Sequence, residues 1–474
     1  MTPQALPPSS NSDAATAAPA FDHDSHPALP GFGTNFLWGT ATAAYQIEGA
    51  VEADGRGRSI WDTFSHQAGR IREGHTGDVA CDHYHRWEED VALAAGLGLD
   101  AYRFSIAWPR IQPDGLSGVN PKGLDFYDHL VDRLLERGIS PFPTLFHWDL
   151  PQALEDRGGW LNRDTAYRFA DYAALVADRL GDRVPRWITL NEPFIHMAFG
   201  YALGRHAPGR TLFFDALPAG HHQLLGHGLA ATVLRERGGQ VLLTNNCTPV
   251  SPASDTPPDL AAAAFYDTIH NRFFLEPVLT GRYPELILEG LTGHGAIHDG
   301  DLEAIAAPLD GLGINYYNPT RISAPQDPTQ PLPFELQPID GVPHTGFGWP
   351  VVPHGLRDLL VSLRDRYGVG LPPIYITENG CSHPDPIDAH GQVVDQRRIA
   401  YLDGHLRAVH DAIAAGVDVR GYFVWSLLDN FEWAEGYTQR FGLVHVDFET
   451  QVRTPKASYH WYADQVRAQR AGDR

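Results

Sequence analysis

From residue 36 onward, short runs of apolar and β-branched residues alternate with longer amphipathic stretches, the pattern of strand–helix units around a parallel sheet. Eight runs have strand length: 36–39, 101–106, 141–146, 186–190, 241–244, 311–315, 374–377 and 421–426. Between them, the segment 123–137 carries Leu124, Tyr127, Leu130, Val131, Leu134 and Leu135 at spacings of three and four, which predicts a helix with one apolar face. The segment 167–180 predicts another. Eight such units predict an α/β fold, a single (β/α)8 TIM barrel; an open doubly wound sheet gives the same alternation, and only the site residues separate the two.

Residues 1–30 show no apolar period and are rich in Ala, Pro, Ser, Asp and His, so they are expected to be a disordered leader ahead of one barrel domain over 31–474. The leader does not have the form of a secretory signal. Its first basic residue would be Arg56, far downstream, and Pro7, Pro8 and Pro19 interrupt any apolar stretch. The expected location is cytoplasmic. The Pro- and Gly-rich stretch 324–350 is expected to form long loops over one face of the barrel.

Charge narrows the partners. With 36 Lys and Arg against 58 Asp and Glu the net charge is −22, which repels nucleic acid and anionic lipid and favours a neutral small molecule. No stretch approaches the length of a membrane span. The three cysteines, Cys81, Cys247 and Cys381, are too few and too scattered for a disulfide framework. The 24 histidines contain no HExxH and no metal-ligand spacing, and no glycine-rich phosphate loop is present, so no metal and no cofactor is expected. Asn246-Cys247-Thr248 fits the glycosylation pattern but follows an expected inner strand and is read as accidental. Nothing in the sequence fixes an oligomeric state.

The chemistry collects just after the predicted strands, where barrel enzymes place their sites. Gln46 follows the first run, His147-Trp148 the third, Asn191-Glu192-Pro193 the fourth, Asn315-Tyr316-Tyr317 the sixth and Glu378-Asn379-Gly380 the seventh; Trp425, then Glu432-Trp433, belong to the eighth. Two carboxylates at one end of a barrel can hydrolyse a glycoside, one protonating the leaving oxygen while the other attacks or activates water. Their environments must then differ, so that one keeps a proton near neutral pH and the other stays ionised. Arg103, inside the second strand, needs a buried partner, for which Glu378 is a candidate. Trp148, Trp425 and Trp433 offer flat apolar faces to a sugar ring, and Gln46, His147, Asn191 and Glu432 offer directional hydrogen bonds.

At these residues the chain resembles the family 1 glycoside hydrolases, the β-glucosidase family, from Phe32 to about Tyr462. Thr189-Leu190-Asn191-Glu192-Pro193 is similar to the family's acid/base motif, Ile376-Thr377-Glu378-Asn379-Gly380 to its nucleophile motif, and the stretch from Phe36 through Trp38-Gly39-Thr40-Ala41 to Gln46-Ile47-Glu48-Gly49 to its N-terminal signature.

The resemblance implies a retaining, exo-acting β-glycosidase, with β-glucosidase the default, acting on a β-glucoside or cello-oligosaccharide. Glu192 would be the acid/base and Glu378 the nucleophile, with the two carboxyls ~5–5.5 Å apart. It further implies that Arg103 and Tyr317 keep Glu378 ionised, with Asn315 beside it. Gln46, His147, Asn191, Glu432 and Trp433 would hold the nonreducing sugar, with Trp425 its platform. Trp349 and the segment around Cys247 would border the aglycone side. Glu432 stands where the phosphosugar-cleaving members of the family carry Ser, so a phosphate is disfavoured. A transglycosylase, a β-galactosidase or β-fucosidase, and a non-catalytic sugar-binding protein are the alternative readings.

Overall fold

The structure, a computed structural model, describes residues 28–472 except 117 and 328. Most of the expected leader, 1–27, lies outside the described residues. Its last three residues are placed: Leu29 is buried, its backbone N–H donates to Gln465, and the Pro30 carbonyl accepts from Gln469, both on the last helix, Ala457–Gly472.

Among the described residues, eight parallel strands close into a barrel: β1 (Leu37–Ala41), β2 (Ala101–Ser105), β3 (Ser140–Phe146), β4 (Arg186–Asn191), β5 (Gln240–Asn246), β6 (Gly311–Asn315), β7 (Ile374–Asn379) and β8 (Val419–Trp425). Each pairs with its sequence neighbours, and β1 closes the ring on β8 with Leu37 opposite Gly421 and Ala41 opposite Trp425. Closure settles the choice against an open doubly wound sheet. Each of the eight predicted runs overlaps one of these strands, and β1, β5 and β7 each continue two residues past the predicted end.

The barrel interior is filled by Ala41, Ala101, Phe142, Ile188, Leu242, Tyr375 and Phe423. Room for the ring of Phe423 comes from Gly39, where a Cβ would lie 2.4 Å from the ring. A second and larger core lies between the strands and the surrounding helices. The helix Pro121–Glu136 buries Phe126, Tyr127, Leu130, Val131 and Leu134; Leu135, expected on this face, lies at the edge of the stripe and is 40% exposed, and Phe126 fills the face instead. The helix Asp164–Leu180 buries Phe169, Tyr172, Val176 and Leu180 in the same way.

Two features shape the C-terminal end of the barrel. The ladder is irregular between Ile188 and Asn191 on β4 and between Ile376 and Glu378 on β7, so both motif carboxylates follow or sit on breaks that re-aim side chains. The stretch 324–350 is not loop throughout. Glu335–Gln337 pairs antiparallel with Thr320–Ser323, which pairs with Val250–Pro252 in a small three-stranded sheet. A strand of three residues carries too little alternation to be read from sequence. Among the described residues no helix is long and apolar enough to cross a membrane.

Candidate active site

Strand β2 delivers Arg103 into the barrel, where it is fully buried. Every guanidinium nitrogen is engaged: Nη1 donates to Glu378 Oε1 at 2.6 Å and to the Thr377 carbonyl at 3.0 Å, Nη2 to Asn191 Oδ1 at 2.7 Å, and Nε to Thr144 Oγ1 at 3.1 Å. On the other side of Glu378, the Tyr317 hydroxyl donates to Oε2 at 2.7 Å. Both carboxylate oxygens of this buried group are thereby held by donors that favour its charged form.

Glu192 is held differently. It is the residue after β4, with φ +46° and ψ 61°, and its backbone N–H donates to the Thr244 carbonyl. Its Oε1 accepts from Asn315 Nδ2 at 2.6 Å and from Asn246 Nδ2 at 3.5 Å, both neutral amides. Asn315 is fixed in turn, donating also to Asn191 Oδ1 and accepting from Thr377 Oγ1. Burial raises both carboxyls. At Glu378 the Arg103 guanidinium and the Tyr317 hydroxyl pull back toward the ionised form, whereas at Glu192 burial and the Glu378 charge push the same way, up to about 8. The proton of the pair therefore belongs to Glu192 and the charge to Glu378.

Around this pair stand buried polar atoms without a protein partner, which is unusual in a folded interior. Gln46 donates through Nε2 to Asn430 Oδ1 at 3.1 Å and to the Phe431 carbonyl at 2.9 Å, which fixes its amide and leaves Oε1 unpartnered. His147 Nε2 accepts from Asn191 Nδ2 at 3.0 Å, so the ring proton sits on Nδ1, also buried without a partner. Burial and the nearby Arg103 keep this imidazole neutral. Glu432 has a free Oε2, and burial followed by the charges of Glu378 and Glu192 pushes its carboxyl up to about 8.

Aromatic rings surround these groups. Trp433 lies 4.5 Å from Trp61 and 4.7 Å from Trp148 between ring centroids, and His147 lies nearly parallel to Trp425 at 5.8 Å. Trp148 is anchored by its Nε1 donating to the Asn191 carbonyl at 2.8 Å. Trp148 and Trp433 share with Glu192 a left-handed backbone, at φ +77° and +47°. Each such residue costs about 1–2 kcal/mol. Trp349 is half-buried, 5.3 Å from Tyr317 and stacked on Phe347 at 4.2 Å. Cys247 donates its backbone N–H to the Asn315 carbonyl, and its side chain is packed in the core, where burial raises the thiol.

Several residues that sequence reasoning passed over belong to this arrangement. Thr144 and Thr377 complete the surroundings of Arg103, Asn430 orients Gln46, and Asn246 reaches Glu192. Asn430 lies two residues before Glu432, and that proximity was the available signal.

A carboxylate held ionised beside a protonated carboxyl, with tryptophan rings and unpartnered hydrogen-bonding atoms around them, can cleave an acetal bond of a bound polyhydroxylated ring. The comparisons agree with this chemistry. The model of Glycosyl hydrolase family 1 matches residues 30–471. The chain is similar to the thermostable beta-glucosidase B of Thermobispora bispora, 54% identical over 92% of this chain and 90% of that protein. It is also similar to a bifunctional beta-D-glucosidase/beta-D-fucosidase of Bifidobacterium breve, 47% identical over 91% of this chain and 97% of that one. Among solved structures, the family 1 β-glucosidase from Thermotoga maritima superposes with a TM-score of 0.88 at 45% identity, covering 93% of this chain and 99% of that chain.

Proposed function

The chain belongs to glycosyl hydrolase family 1, and from that premise we propose that Glu378 and Glu192 are the nucleophile and the acid/base of a retaining, exo-acting β-glucosidase. The observation that carries the assignment is the unlike tethering of the two carboxyls: Glu378 between Arg103 and Tyr317, Glu192 against neutral amides. In the first step a Glu378 oxygen bonds to C1 of the sugar as the C1–O bond to the aglycone breaks, and Glu192 gives its proton to the departing oxygen. In the second, water bonds to C1, Glu192 takes the water proton, and the bond to Glu378 breaks, so the product keeps the β configuration.

Gln46, His147, Asn191 and Glu432 bind the hydroxyls of the nonreducing sugar, Trp425 and Trp433 cover its apolar faces, and Asn315 and Tyr317 steady the reacting carboxyls. Trp349, with the segment around Cys247 behind it, borders the aglycone, for which a cello-oligosaccharide or aryl group is the proposed occupant. The fucosidase activity named for the Bifidobacterium relative supports a β-fucoside as a second substrate. The three buried, unpaired cysteines support a reducing, cytoplasmic setting.

Initial rates on nitrophenyl β-glucoside, β-fucoside, β-galactoside and 6-phospho-β-glucoside, with the first-formed anomer followed by NMR, test the proposal. Release from neutral sugars with β product is expected. An α first product, or cleavage of the phosphosugar alone, overturns it.

A further inference from the structure

A chain of hydrogen bonds that includes neither Arg103 nor Glu378 reaches Glu192. Asn246, the last residue of β5, sits half-buried with its Nδ2 3.5 Å from Glu192 Oε1. Its Oδ1 accepts from His270 Nε2 at 2.9 Å, and His270 Nδ1 accepts from the Tyr266 hydroxyl at 3.0 Å. His270 belongs to a short π-helical turn, Thr268–Arg272, that interrupts the helical connection after Pro257–Asp267. Such turns place a side chain that a regular helix would carry elsewhere. The imidazole packs against two rings, with Phe194, two residues past Glu192, at 4.0 Å and Tyr266 at 5.3 Å.

The protons along this chain have one polarity. Asn246 Oδ1 can only accept, so Nε2 of His270 carries the proton; Nδ1 is then an acceptor, and the Tyr266 hydroxyl must point its hydrogen inward. Burial drives His270 down to about 3, so the ring is neutral and this tautomer is fixed. Each donor polarises the next, and the last N–H is offered to the carboxyl oxygen.

We propose that Asn246, His270 and Tyr266 are positioning residues that orient the Glu192 carboxyl and favour its ionised form, the form that must take a proton from water in the second step. The inference rests on the assignment of Glu192 as acid/base. The sequon Asn246-Cys247-Thr248 acquires a different meaning here, because its asparagine amide is occupied between Glu192 and His270. The other ionisable groups whose fields reach Glu192 are Glu378 and Arg103, with Glu432, Tyr317 and Cys247 around it. The amide chain reaches Glu192 from the end of β5 and the connection that follows it, which also carries Cys247.

The test is the pH profile of kcat/KM on an alkyl glucoside, whose poor leaving group needs the proton, for His270→Phe, Asn246→Ala and His270→Gln. Losing a donor to the carboxylate raises its proton affinity, so the basic limb moves to higher pH by about half to one unit in His270→Phe and Asn246→Ala. His270→Gln, which can still donate to Asn246, restores the wild-type limb. A merely structural role for His270 would lower rates without moving the limb. Unmoved limbs in folded His270→Phe and Asn246→Ala overturn the proposal, and because Asn246 is half-buried its truncation gives a reading even where the ring substitution unfolds the turn. Glu192→Gln, run alongside, separates the two levels: undiminished cleavage of the alkyl glucoside by that variant overturns the acid/base assignment and this inference with it, whereas a crippled Glu192→Gln beside unmoved limbs overturns the inference alone.

Discussion

Arg103 and Glu378, from strands three steps apart around the barrel, meet at 2.6 Å with both side chains buried. The same guanidinium holds Asn191 and Thr377, so one cation fixes residues of β4 and β7 together. A lysine cannot make these contacts at once. Arg103→Lys should lower kcat/KM by about 100-fold or more and, by weakening the positive field at Glu378, move the acidic limb of its pH profile upward. Parallel profiles for the two proteins would show that Arg103 does not control the charge of Glu378.

Glu378→Ala should reduce turnover of an activated aryl glucoside by about 10⁴- to 10⁶-fold. Azide should restore part of the rate and yield the α-glucosyl azide, since the small anion attacks from the face the carboxylate occupied. A variant that turns over at the wild-type rate removes Glu378 from the mechanism.

Because Glu192 is pushed up to about 8, kcat/KM should fall as pH rises through that region, where the acid loses its proton. Glu192→Ala should remove this limb. It should also slow alkyl glucosides by about 10²- to 10⁴-fold while affecting dinitrophenyl glucoside far less in the bond-breaking step, because a good leaving group needs no proton. Equal losses on both substrates in single-turnover measurements would contradict the acid role.

Glu432, half-buried with one buried and unpartnered oxygen, is also pushed up to about 8. A carboxyl whose folded pKa lies above its unfolded value binds its proton more tightly when folded, so its contribution to stability declines as pH rises from about 4.5 toward 8. Glu432→Gln should therefore be more stable than the wild type near pH 8, on the order of 1 kcal/mol or more, with the advantage gone below pH 4.5. The same change should cost about 10- to 100-fold in kcat/KM on glucoside and less on fucoside, which lacks the 6-hydroxyl. Denaturant melts at the two pH values and the two substrates check both halves.

Asn430 fixes the amide of Gln46 so that only an oxygen is left unpartnered. Asn430→Ala should raise KM for glucoside by about 10-fold with a smaller effect on kcat, whereas an unchanged KM would show that Phe431 alone suffices to hold Gln46.

The order of strands and helices was legible because each strand announces itself by a short apolar run. Closure was not legible in the runs themselves, since an open doubly wound sheet gives the same alternation, and only the polar and aromatic residues after the strand ends favoured the barrel. What failed to show were features without a period: the three residues of Glu335–Gln337, and the two residues by which β5 outruns its apolar core to carry Asn246. The carboxylates of the candidate site were legible because a charged side chain at a strand end is costly to bury without purpose, and the tryptophans because they cluster after the strand ends beside them. Their supports were not. Thr144 reads as an ordinary strand residue, and His270, between Ile269 and Asn271 on a turn far along the chain, acquires a role only when the chain folds it against β5. Leu135 was misplaced because a spacing of four from Val131 is satisfied equally at the rim of the buried stripe.

The left-handed backbone of Glu192, Trp148 and Trp433 has a consequence for the protein under selection. At Glu192, whose carboxyl is itself costly to bury, glycine would relieve about 1 kcal/mol of strain, so a search for heat-resistant variants that ignores turnover should be drawn to this codon early. At Trp148 and Trp433 the loss of a packed indole, about 3–5 kcal/mol, outweighs the relief. A search that screens for turnover should never keep the change at Glu192. That one position would then mark, in a population of variants, where durability and catalysis part company.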